Sequence, residues 1–293
     1  MLHGVLLKKY NKQKHTKQVV DSIVFIVIGD VHGRKFWKEA IPYNDIPIIF
    51  VGDYLDPYTS IEDITSKDAI SNFKEVMDYA RGNKNVHLLY GNHDSYAFRS
   101  TALCAVRHDW VRYEDICKLY SDNKELFTMS FDLKHGNVRY LFTHAGFTPY
   151  WLRTYGKALY GGRYRLNAKT INKPFENEYP YGGKEGFRAL CEIGYKRGGL
   201  DPTGSFLWAD FEEHAELASI EQKTIPKNII QVFGHSWLKE SIHVKGSYEF
   251  CCVDCKEAIY LDDKGTFRYL KDGKPVRKAE LDVQDKIKTQ KNK

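Results

Sequence analysis

Short apolar runs that end in glycine recur along the first part of the chain. The runs are IVFIVIG (23–29), IPIIFVG (46–52) and VHLLYG (86–91). Runs of this length without polar alternation are typical of buried parallel strands. Between the second and third runs, residues 62–82 have apolar positions at helical spacing and a glycine at the end. The pattern therefore predicts a βαβαβ order and an α/β fold.

The pattern changes near residue 128. The stretch TMSFDLKHGNVRYLFTH has two alternating runs around an HGN turn, and QVFGHS, YEFCCVD, AIYLDD and TFRYL follow later. These runs predict further strands, which we expect to form a largely antiparallel sheet. Between them, residues 150–205 are rich in Tyr and Gly and irregular, so we expect a long functional loop or lid there.

Composition and charge then define the domain organisation. The 293 residues are 42% hydrophobic and 28% charged, and no linker divides them, so we expect one sizeable core. Much of the net charge of +6 lies at the two ends. We predict a basic N-terminal extension at 1–20, a single domain at 21–270 and a basic C-terminal tail at 271–293. We interpret both ends as solvated tails rather than nucleic-acid-binding segments.

Hydropathy and cysteine usage bear on the compartment. The longest apolar run, IVFIVIG, is far shorter than the roughly 20 residues that span a bilayer. The first twenty residues lack the apolar region and cleavage site of a secretory signal. Six cysteines, three of them in CCVDC at 251–255, do not resemble a disulfide framework, and we interpret them as thiols of core strands. We therefore expect a cytoplasmic protein with no membrane partner.

Possible metal ligands follow the predicted strands. In open α/β sheets, reacting groups gather beyond the carboxyl ends of the strands. The motifs at these ends are GDVHG (Asp30, His32), GDYLD (Asp53, Asp56), GNHD (Asn92, His93, Asp94), FTHAG (His144) and VFGHS (His235). A single histidine near a strand is usually a hydrogen-bonded structural residue. Five such ends in order predict a metal site instead.

The residue types favour a pair of divalent ions. Two ions about 3.5 to 4 Å apart need a bridging anion and a mixture of oxygen and nitrogen ligands. We interpret Asp53 as the bridge. The other predicted ligands are Asp30 and His32 for one ion, and Asn92, His144 and His235 for the other. Two aspartates against two divalent ions leave a positive surplus, which suits a hydroxide and a phosphate, and an ion lowers the pKa of its water towards roughly 7.

Asp56 and His93 are predicted to form a proton donor. His93 follows the ligand Asn92 directly, so its ring can face a substrate, and an acid partner would keep it protonated and oriented. The alternative for Asp56 is a turn residue before Pro57. The alternative to a site role for Asp94 is the N-cap of a helix that begins near Ser95.

Taken in order, these five motifs resemble those of the calcineurin-like metallophosphoesterase superfamily. HAGFTP and SFLWAD are similar to stretches of its phosphoprotein phosphatase and diadenosine tetraphosphatase branch. The resemblance implies a four-layer α/β/β/α sandwich of two mixed sheets flanked by helices. It also implies a metal-dependent phosphatase with two ions, such as Mn²⁺, Fe²⁺/Fe³⁺ or Zn²⁺, that acts on a phosphorylated small molecule, a nucleotide such as a dinucleoside polyphosphate, or a phosphoprotein.

The chain departs from this branch at its phosphate-binding arginines. Pro57 stands where the branch has one arginine, and no second arginine is evident after SFLWAD. The Tyr- and Gly-rich segment offers Arg163, Arg165, Arg188 and Arg197. Our hypothesis is that this segment folds over the metals and that Arg163 or Arg197 binds the phosphate.

Two other functions remain open. A nuclease or cyclic-nucleotide phosphodiesterase shares the ligand pattern, but those relatives usually carry GHxH, whereas Trp237 stands at the second histidine position here. A non-catalytic binding module with this fold is disfavoured, because no predicted ligand is replaced. Metal content and turnover of a chromogenic phosphomonoester distinguish the module from an enzyme.

Overall fold

A computed structural model of the protein describes residues 23–99, 108–162, 164–178 and 183–283. Its strands are β1 Ile23–Ile28, β2 Ile48–Phe50, β3 Val86–Leu89, β4 Phe127–Thr128, β5 Phe131–His135, β6 Val138–Phe142, β7 Ile229–Phe233, β8 Ile242–Lys245, β9 Glu249–Cys252, β10 Ala258–Asp262, β11 Phe267–Tyr269 and β12 Arg277–Glu280. Its α-helices are α1 Ser66–Gly82, α2 Tyr113–Ser121, α3 Pro149–Tyr160, α4 Ala168–Asn177, α5 Gly183–Leu190 and α6 Phe211–Ala218. Short 3₁₀ helices lie at Phe36–Tyr43, His93–Phe98, Lys124–Leu126 and Tyr195–Arg197.

The strands form two six-stranded sheets. The first has the order β11-β10-β1-β2-β3-β4, with β1 to β4 parallel and β10 antiparallel to both of its neighbours. The second has the order β12-β8-β9-β7-β6-β5. In it, β12 with β8, β6 with β7 and β7 with β9 are parallel, while β5 with β6 and β8 with β9 are antiparallel. The two mixed sheets are confirmed, and the prediction of a largely antiparallel second sheet is wrong.

The sheets pack face to face through apolar side chains. The ring of Phe25 in β1 lies edge-on to those of Phe142 and Tyr140 in β6, with centroids 4.9 and 5.2 Å away. Helix α1 covers the outer side of the first sheet, where Phe73 stacks on Tyr54 at 5.0 Å. It begins with a capping box in which Thr65 and Asp68 satisfy each other's backbone N–H groups. Strands β1 to β3 are therefore largely buried on both faces, as their continuous apolar runs predict.

Helices occupy most of the segment from 150 to 205. Helix α3 begins at Pro149, and the Thr148 hydroxyl accepts the Trp151 N–H at 3.1 Å. The Trp151 indole N–H donates to the carbonyl of Ala189 in α5 at 3.1 Å, which joins the two helices. The prediction of a long loop over this range is therefore wrong, and the role of the segment as a lid stays a prediction.

The last strand lies beyond the predicted domain boundary. Strand β12 (277–280) pairs with β8, so the second sheet extends past residue 270. The predicted N-terminal extension lies outside the described residues. Cys251 and Cys252 are buried free thiols in β9, as expected for core strands. No helix among the described residues has the length and apolar character needed to cross a membrane.

Candidate metal centre

The loops after five strands meet at one edge of the sandwich. Backbone groups tie them together: the His32 N–H donates to the carbonyl of Asp53 at 2.7 Å, and the His235 N–H donates to Asp30 Oδ1 at 3.0 Å. The His93 N–H donates to Asp53 Oδ1 at 2.9 Å. The eight residues predicted for the metals and the proton donor are brought together and all are buried: Asp30, His32, Asp53, Asp56, Asn92, His93, His144 and His235.

The backbone at these strand ends is strained. His32, Asp53, Asp56 and His235 adopt φ values of 43°, 56°, 57° and 65°, a region that L-residues rarely occupy. Such conformations cluster at functional sites, where surrounding contacts maintain them. Neighbouring glycines make room for the carboxylates. A Cβ at Gly91 would overlap Asp53 Oδ1.

Asp53 lies between two imidazoles. Its Oδ2 is 3.6 Å from His32 Nε2 and 3.5 Å from His144 Nε2. The Nδ1 atoms of these histidines lie 2.7 Å from the Leu55 carbonyl and 2.8 Å from the Val51 carbonyl, so each Nδ1 carries the hydrogen. In the neutral form of each ring, the Nε2 lone pair therefore faces the carboxylate. Burial lowers the pKa of His144 to about 3, so its ring is neutral at pH 7.

Further electron-pair donors lie next to His144, on its side of the Asp53 carboxylate. Asn92 Oδ1 lies 2.8 Å from His144 Nε2 and 2.9 Å from His235 Nδ1. Burial, followed by the charge of Arg197, holds the pKa of His235 well below its usual value. Two neutral imidazoles, an amide oxygen and the Asp53 carboxylate thus meet in one place, where a cation would satisfy all of them. These donors fit the predicted second ion.

The potential ligand atoms form two groups that share Asp53. One comprises His32, Asp53 and His93, the other Asp53, His144 and His235, each with atoms within 4.8 Å of one another. Asp30 is in neither group, and one of its oxygens accepts the His235 N–H. Its charge nevertheless adds to the rise in the pKa of Asp53 that burial causes. Its assignment as a ligand, like the other assignments, stays a prediction.

The carboxylates at this edge favour a positive ion. Burial raises the pKa of Asp30 well above its usual value, and the charge of Asp254 adds to the effect. Burial also raises the pKa of Asp53, followed by the charges of Asp30 and Asp94. Both shifts oppose ionisation, and a bound cation would favour the charged form of both groups.

The predicted proton donor is assembled beside Asp53. His93 Nδ1 lies 2.9 Å from Asp56 Oδ2. The other oxygen of Asp56 accepts the Tyr96 hydroxyl at 2.7 Å, and Tyr96 in turn accepts the Asp109 N–H at 2.7 Å. Asp56 is thus more than a turn residue. Tyr96 was not among the site residues predicted from the sequence.

Asp94 ties the loops together instead of capping a helix. Its carboxylate accepts the N–H groups of Gly91, Asp53 and Tyr54 at 2.7, 2.8 and 3.1 Å, and the Tyr120 hydroxyl at 2.6 Å. The 3₁₀ helix at His93–Phe98 begins before it. The N-cap alternative for Asp94 is therefore wrong.

The four candidate arginines differ in position. Arg197 borders the site: its Nη2 donates to the His235 carbonyl at 3.0 Å and to Ser236 Oγ at 3.1 Å, while its Nε lies 2.7 Å from Asp210 Oδ2. Arg165 lines a separate cavity next to α4. Arg188 lies in α5, and its charge opposes the rise in the pKa of Glu192 that burial causes. Arg163 lies outside the described residues.

Asp254 is a further acidic residue at this edge. It is buried two residues beyond the end of β9, the neighbour of β7, and its charge adds to the rise in the pKa of Asp30 that burial causes. Burial raises its pKa to about 6. The sequence could have identified Asp254 as a site residue, because an acid after the apolar run YEFCCV matches the pattern of the other strand ends.

Two mixed sheets with a buried cluster of carboxylates and imidazoles at one edge define a candidate metal site. A family model described as calcineurin-like phosphoesterase matches residues 23–236, which is more than half of the chain. The chain belongs to the calcineurin-like phosphoesterase family. The nearer branch stays a prediction. No match was found among curated proteins.

Proposed function

We propose that the protein is a two-metal phosphoesterase that hydrolyses phosphomonoesters or dinucleoside polyphosphates. The observation that carries the proposal is the position of Asp53, whose Oδ2 faces the lone pairs of His32 and His144 at 3.6 and 3.5 Å. A carboxylate between two imidazole lone pairs receives a hydrogen from neither ring. It is suited to bridge two cations.

The chain offers a ligand set for each ion. Asp30, His32 and Asp53 would hold one, and Asp53, Asn92, His144 and His235 would hold the other. When bound, the ions supply positive charge to the phosphate oxygens and lower the pKa of a water that serves as the nucleophile. The hydrogen bonds from His32 Nδ1 and His144 Nδ1 to backbone carbonyls keep Nε2 of each ring directed at the site.

His93 would deliver the proton to the leaving oxygen. Its Nδ1 is held by Asp56, and Nε2 is the atom that would donate when the bond from phosphorus to the leaving oxygen breaks. The Asp56 carboxylate favours the protonated imidazole. Tyr96 keeps that carboxylate in place through its hydrogen bond to the other oxygen.

Arg197 is the described arginine that we propose contacts the phosphate. Asp210, Ser236 and the His235 carbonyl orient its guanidinium at the margin of the metal ligands. Its charge lowers the pKa of both His144 and His235, as expected for a cation close to them. A planar guanidinium held in this way suits a phosphate oxygen.

Activity with three esters tests the proposal. Chelated and manganese-loaded protein would be compared on p-nitrophenyl phosphate, a dinucleoside tetraphosphate and bis-p-nitrophenyl phosphate. We expect manganese-dependent hydrolysis of at least one of the first two. Hydrolysis of the diester alone would assign the protein to the nuclease or phosphodiesterase class. No turnover with any transition metal would identify a non-catalytic member of the family.

A further inference from the structure

A small pocket opens beside the candidate metal ligand His32. Its volume is about 210 Å³, and its walls include Tyr58 and Trp237. The Trp237 side chain is 58% exposed, although it is large and apolar. Sites for drug-sized ligands typically measure about 300 to 1,000 Å³. This pocket has room for one ring system rather than for a folded peptide segment.

The charged residues of the pocket largely cancel. Arg34 Nε lies 2.8 Å from Glu62 Oε2, and Lys256 Nζ lies 2.5 Å from Glu62 Oε1. Asp254 is the second acid in the lining. Two cations and two carboxylates leave little net charge for a second phosphate. The lining therefore favours an uncharged group.

The cations also orient the aromatic walls. The Arg34 guanidinium lies 5.6 Å from the centre of the Tyr58 ring, and the Lys256 ammonium lies 5.5 Å from that of Trp237. Lys256 has a φ of 63°, so its backbone is strained as at the metal ligands. Aromatic rings held in this way provide stacking surfaces for a planar group.

The pocket lies on the side where the leaving group would depart. The ring of His32 packs edge-on against Tyr58 at 5.1 Å and against His93 at 4.9 Å. His93 is the proposed donor of the proton to the leaving oxygen. A substituent attached to that oxygen would thus begin next to the pocket.

Asp254 provides a hydrogen-bond acceptor in the lining. It is only 4% exposed. The positive charges of Arg34, Arg197 and Lys256 act on its carboxylate. An N–H group of a ligand in the pocket would find a hydrogen-bond acceptor in this carboxylate. Exocyclic amines of nucleobases are donors of this kind.

We propose that the pocket binds the base of a nucleoside phosphate, stacked on Trp237 and Tyr58, so that nucleotides are the preferred substrate class. This inference rests on the proposed phosphoesterase function. It distinguishes nucleotides from phosphoserine and phosphothreonine proteins and from sugar phosphates, whose phosphate-bearing groups have no planar ring to fill the pocket.

The test compares a nucleotide with the same phosphate ester lacking the base. Manganese-loaded protein would be assayed on adenosine 5′-monophosphate and ribose 5-phosphate. We expect kcat/KM to be at least tenfold higher for the nucleotide. Trp237→Ala should lower kcat/KM for the nucleotide about five- to 150-fold, which corresponds to roughly 1 to 3 kcal/mol of base stacking. The same substitution should leave kcat/KM for ribose 5-phosphate unchanged.

Trp110→Ala is the matched control, because Trp110 is 63% exposed but is not part of this pocket. Its values should equal those of the wild type. Equal kcat/KM for both substrates, together with no effect of Trp237→Ala, would overturn the pocket assignment and leave the phosphoesterase function standing.

A binding measurement keeps the two hypotheses separate. Metal-loaded His93→Ala and the double variant His93→Ala/Trp237→Ala would each be titrated with adenosine 5′-monophosphate in a calorimeter. The double variant should bind the nucleotide more weakly. The same affinity with and without Trp237 would contradict the pocket proposal, whatever the activity. If no ester is hydrolysed but Trp237 contributes to nucleotide binding, the phosphoesterase function fails and the pocket stands.

Discussion

Tyr96 donates its hydroxyl hydrogen to Asp56 Oδ1 at 2.7 Å. Burial, followed by the charge of Asp56, raises the pKa of Tyr96, so the phenol remains a donor. The second oxygen of Asp56 lies 2.9 Å from His93 Nδ1. A buried tyrosine thus holds the carboxylate that orients the proposed general acid.

Tyr96→Phe should weaken the proton donor without removing it. We expect kcat for an alkyl phosphate to fall about tenfold, because a hydrogen bond to a charged group contributes about 1.5 to 3 kcal/mol and only part of that contribution acts in the transition state. The loss should be smaller for p-nitrophenyl phosphate, whose leaving group hardly needs a proton. Steady-state kinetics on both esters checks this. An equal loss on both, or a fall in metal content, would argue for a purely structural role.

His93→Ala should separate proton donation from metal binding. The His93 backbone N–H, which contacts Asp53, remains in the variant, so metal content should stay near that of the wild type. We expect kcat for a poor leaving group to fall by roughly 10²- to 10⁴-fold. Asp56→Asn should act in the same direction but less severely. If elemental analysis shows that His93→Ala loses an ion, His93 is a ligand, as its grouping with His32 and Asp53 allows.

Arg197→Ala should weaken phosphate binding. Loss of a charge-assisted contact of about 1.5 to 3 kcal/mol corresponds to a decrease in kcat/KM of roughly ten- to 150-fold. Arg165→Ala is the control, because Arg165 lines a separate cavity. Metal content should be measured for both variants, since Arg197 also contacts the His235 carbonyl. A change of less than about twofold in Arg197→Ala, well under 1 kcal/mol, would exclude the contact.

His214 should make stability depend on pH. It is fully buried, its Nε2 lies 2.9 Å from the Ala145 carbonyl, and burial lowers its pKa from 6.5 to about 4. On acidification the unfolded chain takes up this proton first, so the stabilisation is complete above pH 6.5 and is lost progressively towards about pH 4.

Urea unfolding of chelated protein at about pH 7.5 and about pH 5 measures this linkage. Between these pH values the wild type should lose on the order of 2 kcal/mol more of its free energy of unfolding than His214→Gln. The same loss in both proteins would show that His214 does not titrate as its burial implies.

The strand ends of the site could be predicted because their signals are local. Asp53 and His144 each follow an apolar run, and the topology of parallel strands brings such ends to one edge. The start of α3 also had a local signal that was missed. Thr148 followed by Pro149 is a typical N-cap with proline in the first turn.

The remaining features depend on partners distant in the sequence. The runs QVFGHS and YEFCCVD predict the strands β7 and β9, but their parallel pairing is not encoded by their spacing. Tyr96 has no local signature of its role, because its partner Asp56 lies 40 positions away. The helical packing of 150–205 likewise relies on contacts such as that of Trp151 with Ala189, between segments 38 residues apart.

The most direct test of the central claim is the metal content of Asp53→Asn beside that of the wild type, measured with phosphatase activity on the same samples. Because the Asp53 carboxylate faces ligands of both predicted ions, the substitution should lower occupancy of both and abolish hydrolysis. The wild type should hold two transition-metal ions per chain, lose activity on chelation and regain it with Mn²⁺. A wild-type protein that binds no transition metal and gains no activity from any of them would contradict the account.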